Sequence, residues 1–304
     1  MSILKDNINA GPTELRKLIN RGHVVAPGVF NGISALLAER AGFRALYLSG
    51  SGVAGCMGLP DLSLTTLSEV ADETRKITSV SKLPLIVDID TGFGETLNVM
   101  RTIRSIEAAG ASAIHIEDQQ LPKKCGHLSG KKIVPQEEMA EKVRMASESR
   151  NDKDFMIIAR TDSRAVEGLD GSIERGKLYV KAGADAIFPE ALESEDEFRE
   201  YAKKVRAPLL ANMTEFGKSP LLSSKELAGI GYKIIIFPLT GFRSALSAVN
   251  STYSELSRRG TQMGFLDKLM TREKFYDVIG YKDYEYEDAL LYASGIGGSK
   301  SHRK

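Results

Sequence analysis

A closed (β/α)8 barrel, α/β in class and carrying extra C-terminal helices, is the fold that this sequence predicts, on three observations. Eight short apolar runs recur along the chain, amphipathic stretches of helical length separate them, and no polar linker divides the series. Strand and helix in alternation imply a parallel sheet. Eight such units without a break favour closure over an open, doubly wound sheet. A length of 304 residues accommodates one such domain.

The first four runs are VVAPGVF from Val24, ALYLSG from Ala45, PLIVDID from Pro84 and AIHIED from Ala113. The remaining four are FMIIARTD from Phe155, AIFPE from Ala186, PLLANM from Pro208 and KIIIFP from Lys233. Between them ISALLAERAG, LSEVADETRKI, NVMRTIRSIEAAGA, EEMAEKVRMASES, SIERGKLYVKAGA and SEDEFREYAKKV have helical patterning. The glycines in AAGA (Ala108 to Ala111) and KAGADAI (Lys181 to Ile187) stand where a helix gives way to a strand, the place of a left-handed cap. After Gly241, SALSAVNSTYSELSRRG and FLDKLMTREKFYDVIG predict helices beyond the eight, suited to packing on a neighbouring subunit. Residues 1–295 are therefore expected to form one barrel domain, and 296–304, without apolar periodicity, a mobile basic tail.

Composition narrows the function. With 41 basic and 40 acidic residues the chain has no charge bias toward nucleic acid or an anionic membrane. No apolar run is long enough to span a bilayer, and MSILKDNINAGPTELRKL lacks a signal core, so a cytoplasmic location is expected. Cys56 and Cys125 are too few for a disulfide framework and are expected to be free thiols.

In a barrel the chemistry collects at the carboxyl ends of the strands. Asp88 and Asp90 end the third run, and period-two alternation sends both carboxylates to one face. Two like charges there call for a divalent cation, or else for an ion pair and a helix cap. Oxygen-only ligands suit Mg²⁺ or Mn²⁺ better than zinc, with Glu117 joining through water. Ser49, Gly50, Ser51, Gly52 and Gly55 match the glycine pattern of dinucleotide sites, but CMGLPD after them predicts a loop where a helix would be needed, so NAD is rejected. Ser49, Gly50 and Ser51 are instead expected to meet a substrate carboxylate. Cys125 lies in Lys123-Lys124-Cys125-Gly126-His127, a polar loop able to open and close, where nearby cations are expected to lower its pKa. Cys56 is better explained by packing. His115 is either an orienting group or a satisfied core residue. Arg160 with Asp162, Glu190, Asn212 with Thr214, and Arg243 add polar strand ends, the arginines being suited to bidentate capture of carboxylates.

KKCGH at Lys123 to His127, with DID at Asp88 to Asp90 and NMT at Asn212 to Thr214, resembles the isocitrate lyase and phosphoenolpyruvate mutase superfamily from about Pro12 to beyond Arg272. The cysteine motif implies its lyase branch, since the mutases and oxaloacetate-type decarboxylases lack it. The resemblance implies Asp88 and Asp90 as metal carboxylates supported by Asp61 and Glu117, and Cys125 as catalytic acid. Tyr47 matches a tyrosine proposed to assist proton removal. Ser49, Gly50, Ser51, Gly126, His127, Arg160, Glu190, Asn212, Thr214, Arg243 and Arg272 would contact substrate. It further implies Mg²⁺ (Mn²⁺ as the substitute) without an organic cofactor, a small tricarboxylate substrate, and a homotetramer exchanging C-terminal helices. The compact length points to cleavage of 2-methylisocitrate to pyruvate and succinate, within propionate catabolism by the methylcitrate cycle. Phe188 and Ile236, where isocitrate lyases tend to carry tryptophan and threonine, leave an apolar space for the extra methyl. KKCGHL, where many bacterial relatives read KRCGHR, also occurs in isocitrate lyases, so isocitrate or another branched 2-hydroxy acid such as 2,3-dimethylmalate is the alternative substrate. A metabolite-binding barrel without catalysis is the remote one.

Overall fold

The computed structural model describes residues 11–128 and 130–298. Helix α1 (Gly11–Arg21) precedes the barrel and was not evident in the apolar pattern. Then follow β1 (Val24–Val29), α2 (Gly32–Arg40), β2 (Leu46–Leu48), α3 (Gly50–Cys56), α4 (Leu67–Val80), β3 (Leu85–Asp88), α5 (Thr96–Ala108) and β4 (Ala113–Glu117). The second half comprises α6 (Gln136–Ser149), β5 (Met156–Thr161), α7 (Arg164–Lys181), β6 (Ala186–Pro189), α8 (Glu195–Lys204), β7 (Leu210–Asn212), α9 (Ser224–Ile230) and β8 (Ile234–Phe237). All eight expected strands are present. They pair in parallel in the order β6-β5-β4-β3-β2-β1-β8-β7, and a single bridge between Ile187 and Leu209 joins β6 to β7.

Local chemistry sets the helix ends. Asn31 with Ser34, Thr66 with Glu69 and Ser223 with Glu226 form reciprocal capping boxes that start α2, α4 and α9. Gly110 and Gly183 do adopt positive φ, 91° and 110°, at the turns into β4 and β6.

Side-chain alternation produces two cores. Outward residues such as Leu48, Val87, Ile114, Ile157 and Ile235 pack with the helices. Inward residues Val24, Ala26, Ala45, Ile86, Ala113, Met156, Ile158, Ala186, Leu210 and Ile234 fill the barrel together with Leu15, Leu18 and Ile19 of α1. Helix α1 therefore stops the amino-terminal end with its apolar face. Farther along the same inward rows the residues turn polar: Ile86 is followed by Asp88, Ala113 by His115 and Glu117, Ile158 by Arg160, and Leu210 by Asn212. Gly28 is needed on β1, because a Cβ there would overlap the backbone of Pro238.

Beyond β8 the chain passes from one compact unit into another. Two compact units are present, one ending at Ala245 with the barrel and one beginning at Leu246. Helix α10 (Thr240–Arg259) buries no residue along its length. The stretch expected as one helix from Phe265 is broken: Met263–Lys268 is a 3-10 helix with Phe265 outside helical geometry. Thr271 then caps a separate α11 (Arg272–Val278) by accepting from the Lys274 N–H. Helix α12 (Tyr281–Gly298) was not expected; its Leu, Ala, Glu and Lys residues favour helix and carry it past the boundary placed at 295. Of the expected tail, 296–298 are thus helical, and 299–304 lie outside the described residues.

Candidate active site

The acid pair at the end of β3 is built differently from a continued strand. The strand stops at Asp88, and Asp90 takes a left-handed backbone (φ 47°) whose N–H donates to Asp88 Oδ1 at 3.0 Å. Both carboxylates still converge, because each lies against Gly50, where a Cβ would meet Asp88 Oδ2 at 3.1 Å and Asp90 Oδ1 at 3.3 Å. Gly50 opens α3, so a short helix does begin inside the glycine run, which was not expected, although residues 57–61 after it form the loop that was. Its N-terminal N–H is taken by Asp88 Oδ2 at 3.1 Å, and this neighbouring acid, rather than the lack of a helix, is what disfavours a dinucleotide phosphate.

Lys123 supplies the opposing charge. Its buried ammonium lies 2.8 Å from Asp90 Oδ1 and is paired also with Asp61, while Ser63 donates to Asp90 Oδ2 at 3.2 Å. Burial works against the Lys123 charge, but Glu117, Asp90, Asp88 and Asp61 raise its pKa and keep it protonated. Below this group, inside the barrel, Tyr47 Oη and His115 Nε2 are 2.7 Å apart and Phe188 meets the imidazole edge-on. Burial lowers the His115 pKa to about 4, so its 3.5 Å approach to Asp88 joins a neutral ring to a carboxylate. Burial and then Asp88 push the Tyr47 phenol well up.

Arg160 organises the opposite wall. Its guanidinium donates twice to Asp162, at 2.9 and 3.1 Å, and lies 3.2 Å from Glu117 Oε2 and 4.0 Å from Glu190 Oε2. The Phe188 ring supports it from 5.1 Å. Glu190 is also approached by His127 Nε2 at 2.9 Å and by the Asn212 amide at 3.3 Å. Although burial would raise it, Arg160 and His127 hold the Glu190 carboxyl well below its usual range. Thr214 lies beside His127, since a Cβ on Gly217 would touch both. Ile236 is fully buried in the inner core and pairs in register with Asn212.

The cysteine loop is closed onto this wall. Lys124 exchanges two backbone hydrogen bonds with the Gln119 amide, at 2.9 and 2.8 Å, and the Lys218 N–H donates to His127 Nδ1 at 2.9 Å. Gly126 is packed so tightly that a Cβ would overlap Glu190 and Arg160. Both cysteines are free, Cys56 exposed and Cys125 half-buried. The cations near Cys125 do not lower its pKa: burial raises it, and Glu190 and Asp61 add to the effect against Arg160. The expectation failed because Lys123 is paired with Asp61 and Asp90 instead, and burial of the thiol outweighs what charge remains near it.

The barrel unit thus brings Tyr47, Ser49, Gly50, Asp61, Asp88, Asp90, Glu117, Gly126, His127, Arg160, Phe188, Glu190, Asn212 and Thr214 to one end, with Ser51 following on α3. Arg243 is turned aside, 2.9 Å from Glu215 and over the exposed Phe216 ring. Arg272 belongs to the other unit, where it begins α11 and is exposed. Three groups escaped sequence reasoning: Lys123 as the partner of Asp90, Lys131, which pairs with Asp162 at 2.8 Å, and Asp118, which receives the Asp162 N–H at 2.8 Å. Only Lys123 carried a signal, its place beside Cys125.

Residues 15–257 match the family described as phosphoenolpyruvate phosphomutase. The chain is 57% identical to 2-methylisocitrate lyase of Aeropyrum pernix over 276 residues, 90% of this chain and 89% of that one. It is similar in structure to 2,3-dimethylmalate lyase, with a TM-score of 0.87 and 36% identity over 92% of this chain and 95% of the other. A phosphonopyruvate hydrolase in complex with oxalate and Mg²⁺ gives a TM-score of 0.84 and 30% identity over 95% and 99% of the two chains.

The thiol environment sets a pH dependence. Because burial disfavours the thiolate, the reactive form accumulates only as pH rises above 9.0, the ordinary thiol value. Alkylation of Cys125 by iodoacetamide, followed on its own peptide by mass spectrometry, should show a midpoint above that value. A midpoint at or below neutral pH would remove Cys125 as a proton donor.

Proposed function

The chain belongs to the phosphoenolpyruvate phosphomutase family, and from that premise we propose that it cleaves 2-methylisocitrate to pyruvate and succinate. It is a carbon–carbon lyase. The observation that carries the reading is the closed KKCGH loop, whose half-buried Cys125 lies near Arg160, Glu190 and Asp61 at the barrel end that bears the Asp88 and Asp90 pair.

Loss of the substrate hydroxyl proton starts a retro-aldol cleavage, and Tyr47, positioned by His115 at 2.7 Å, assists its removal. Breaking the carbon–carbon bond releases pyruvate and leaves succinate as an enediolate. Arg160, Asn212, Thr214 and the backbone of Gly126 hold its oxygens, and Cys125 delivers a proton to its carbon. Ser49, Gly50 and Ser51 meet the other carboxylate, and Glu190 keeps His127 oriented.

The residues fit a hard divalent cation, Mg²⁺ or Mn²⁺. Asp61, Asp88, Asp90, Glu117, Asp162 and Glu190 face three basic side chains, Lys123, Lys131 and Arg160, and Glu117 Oε1 is buried without a hydrogen-bond partner. Among the described residues no three His, Cys, Asp or Glu side chains converge as direct ligands. Asp88 and Asp90 would hold the ion, with Asp61 and Glu117 in support. Bound there, it would supply positive charge to the substrate hydroxyl and its neighbouring carboxylate.

Two supporting assignments concern the molecule as a whole. Helices α10 and α11 bury no residues and expose Leu246, Val249, Tyr253, Phe275 and Tyr276, which supports an assembly, a homotetramer exchanging these C-terminal helices. Among the described residues no helix is long and apolar enough to cross a membrane, and the free thiols suit a reducing cytoplasm.

Chelation, or Asp88→Ala with Asp90→Ala, should abolish turnover and leave the circular dichroism spectrum of the fold intact. Full activity in excess chelator is the outcome that would sink the metal assignment. Substrate choice should favour 2-methylisocitrate over isocitrate by about 10 to 200-fold in kcat/KM, since one methyl in an apolar pocket is worth about 1 to 3 kcal/mol. Phe188→Trp should narrow or reverse that ratio, and equal or better cleavage of isocitrate by the unmodified protein would move the assignment to isocitrate. Analytical ultracentrifugation at assay concentration should give a tetramer, and a monomer there would rule out the exchanged helices.

A further inference from the structure

We propose that Lys131 is a positioning residue for Cys125, a latch that holds the cysteine loop shut by bridging the Gly126 carbonyl to Asp162. The assignment deepens the lyase function above and rests on it for its catalytic consequence, although the latch itself is a structural claim.

Lysine is almost never fully buried without a partner, and the Lys131 side chain is only 1% exposed. Its ammonium has two acceptors on different parts of the chain. One is Asp162 Oδ1 at 2.8 Å, just beyond the end of β5, and the other is the carbonyl oxygen of Gly126, one residue from the thiol. The limbs of the loop are fixed independently. Gln120 N–H donates to the Lys132 carbonyl at 2.8 Å, Val134 N–H to the Asp118 carbonyl at 2.9 Å, and Arg175 donates to the Val134 carbonyl at 2.9 Å. The span between these limbs carries Cys125, and Lys131 ties its backbone to the barrel wall.

The acceptor on the wall is itself rigid. Asp118, fully buried, receives the Asp162 N–H at 2.8 Å, the Thr161 hydroxyl at 2.7 Å and the Tyr179 hydroxyl at 2.9 Å. Asp162 is also gripped by Arg160, so it remains paired if the lysine is lost. The Gly126 carbonyl, by contrast, would lose its charged donor. Removal of the ammonium should therefore loosen the loop rather than the wall.

The test uses both thiols of the full-length protein in one measurement. Iodoacetamide labelling rates of Cys125 and Cys56 are followed by peptide mass spectrometry at fixed pH in wild type and in Lys131→Met, with thermal unfolding alongside. Cys56, exposed and outside the loop, is the internal reference. Losing a charge-assisted hydrogen bond should raise the Cys125-to-Cys56 rate ratio by about tenfold or more. In the lyase assay kcat should fall by more than KM rises. Lys131→Gln serves the same test should Lys131→Met not fold. A ratio within twofold of wild type, or equal acceleration of both thiols, would overturn the latch and leave Lys131 as a structural counter-ion. Failure of the wild-type protein to cleave 2-methylisocitrate with a raised ratio in the variant would instead overturn the substrate assignment and leave the latch standing.

Discussion

Six carboxylates, Asp61, Asp88, Asp90, Glu117, Asp162 and Glu190, are gathered at the carboxyl end of the barrel, and the arrangement there follows from the need to balance them. An unpaired buried charge costs several kcal/mol, so each acid must find a cation or a donor. Arg160 serves Asp162, Glu117 and, more distantly, Glu190. Lys123 serves Asp61 and Asp90, and Lys131 serves Asp162. Both lysines come from the cysteine loop or its edge. The loop is consequently drawn over the strand ends by the same ion pairs that balance the acids there.

This dependence explains why the Cys125 thiol is not activated toward the thiolate. A cysteine flanked by two lysines would ordinarily be activated toward the thiolate. Here Lys123 is committed to the acid pair, and Lys124 has its backbone bound to Gln119. Cys125 is left in a partly desolvated position with Glu190 nearby, and its proton is retained. That state is the one the proposed proton donor requires.

Rigidity comes from behind the wall. Thr161, Tyr179 and Arg175 converge on Asp118, fully buried outside the barrel interior, and Asp118 in turn holds the Asp162 backbone. Such a network, satisfied on all sides, keeps the strand end in one geometry. Inside the barrel the apolar layers and α1 exclude water from below, so Tyr47 and His115 face each other in a low-dielectric setting.

The alternation of apolar runs and amphipathic helices by itself determined eight parallel strands, because burial on both faces and helical period are written locally in the chain. The strand ends were equally legible: the last residues of the apolar runs marked Asp88, Glu117, Arg160, Glu190 and Asn212, and all of them stand at the carboxyl end of the barrel. Tertiary structure decided what depends on distant residues. Whether Asp90 meets a lysine, whether Cys125 is desolvated, and whether Lys131 reaches the Gly126 carbonyl depend on how a loop closes, and no spacing encodes that closure. The helix inside the glycine run, the break before Thr271 and the separate unit after Ala245 were illegible for a related reason. Each is settled by capping and burial partners rather than by the periodicity of the segment itself.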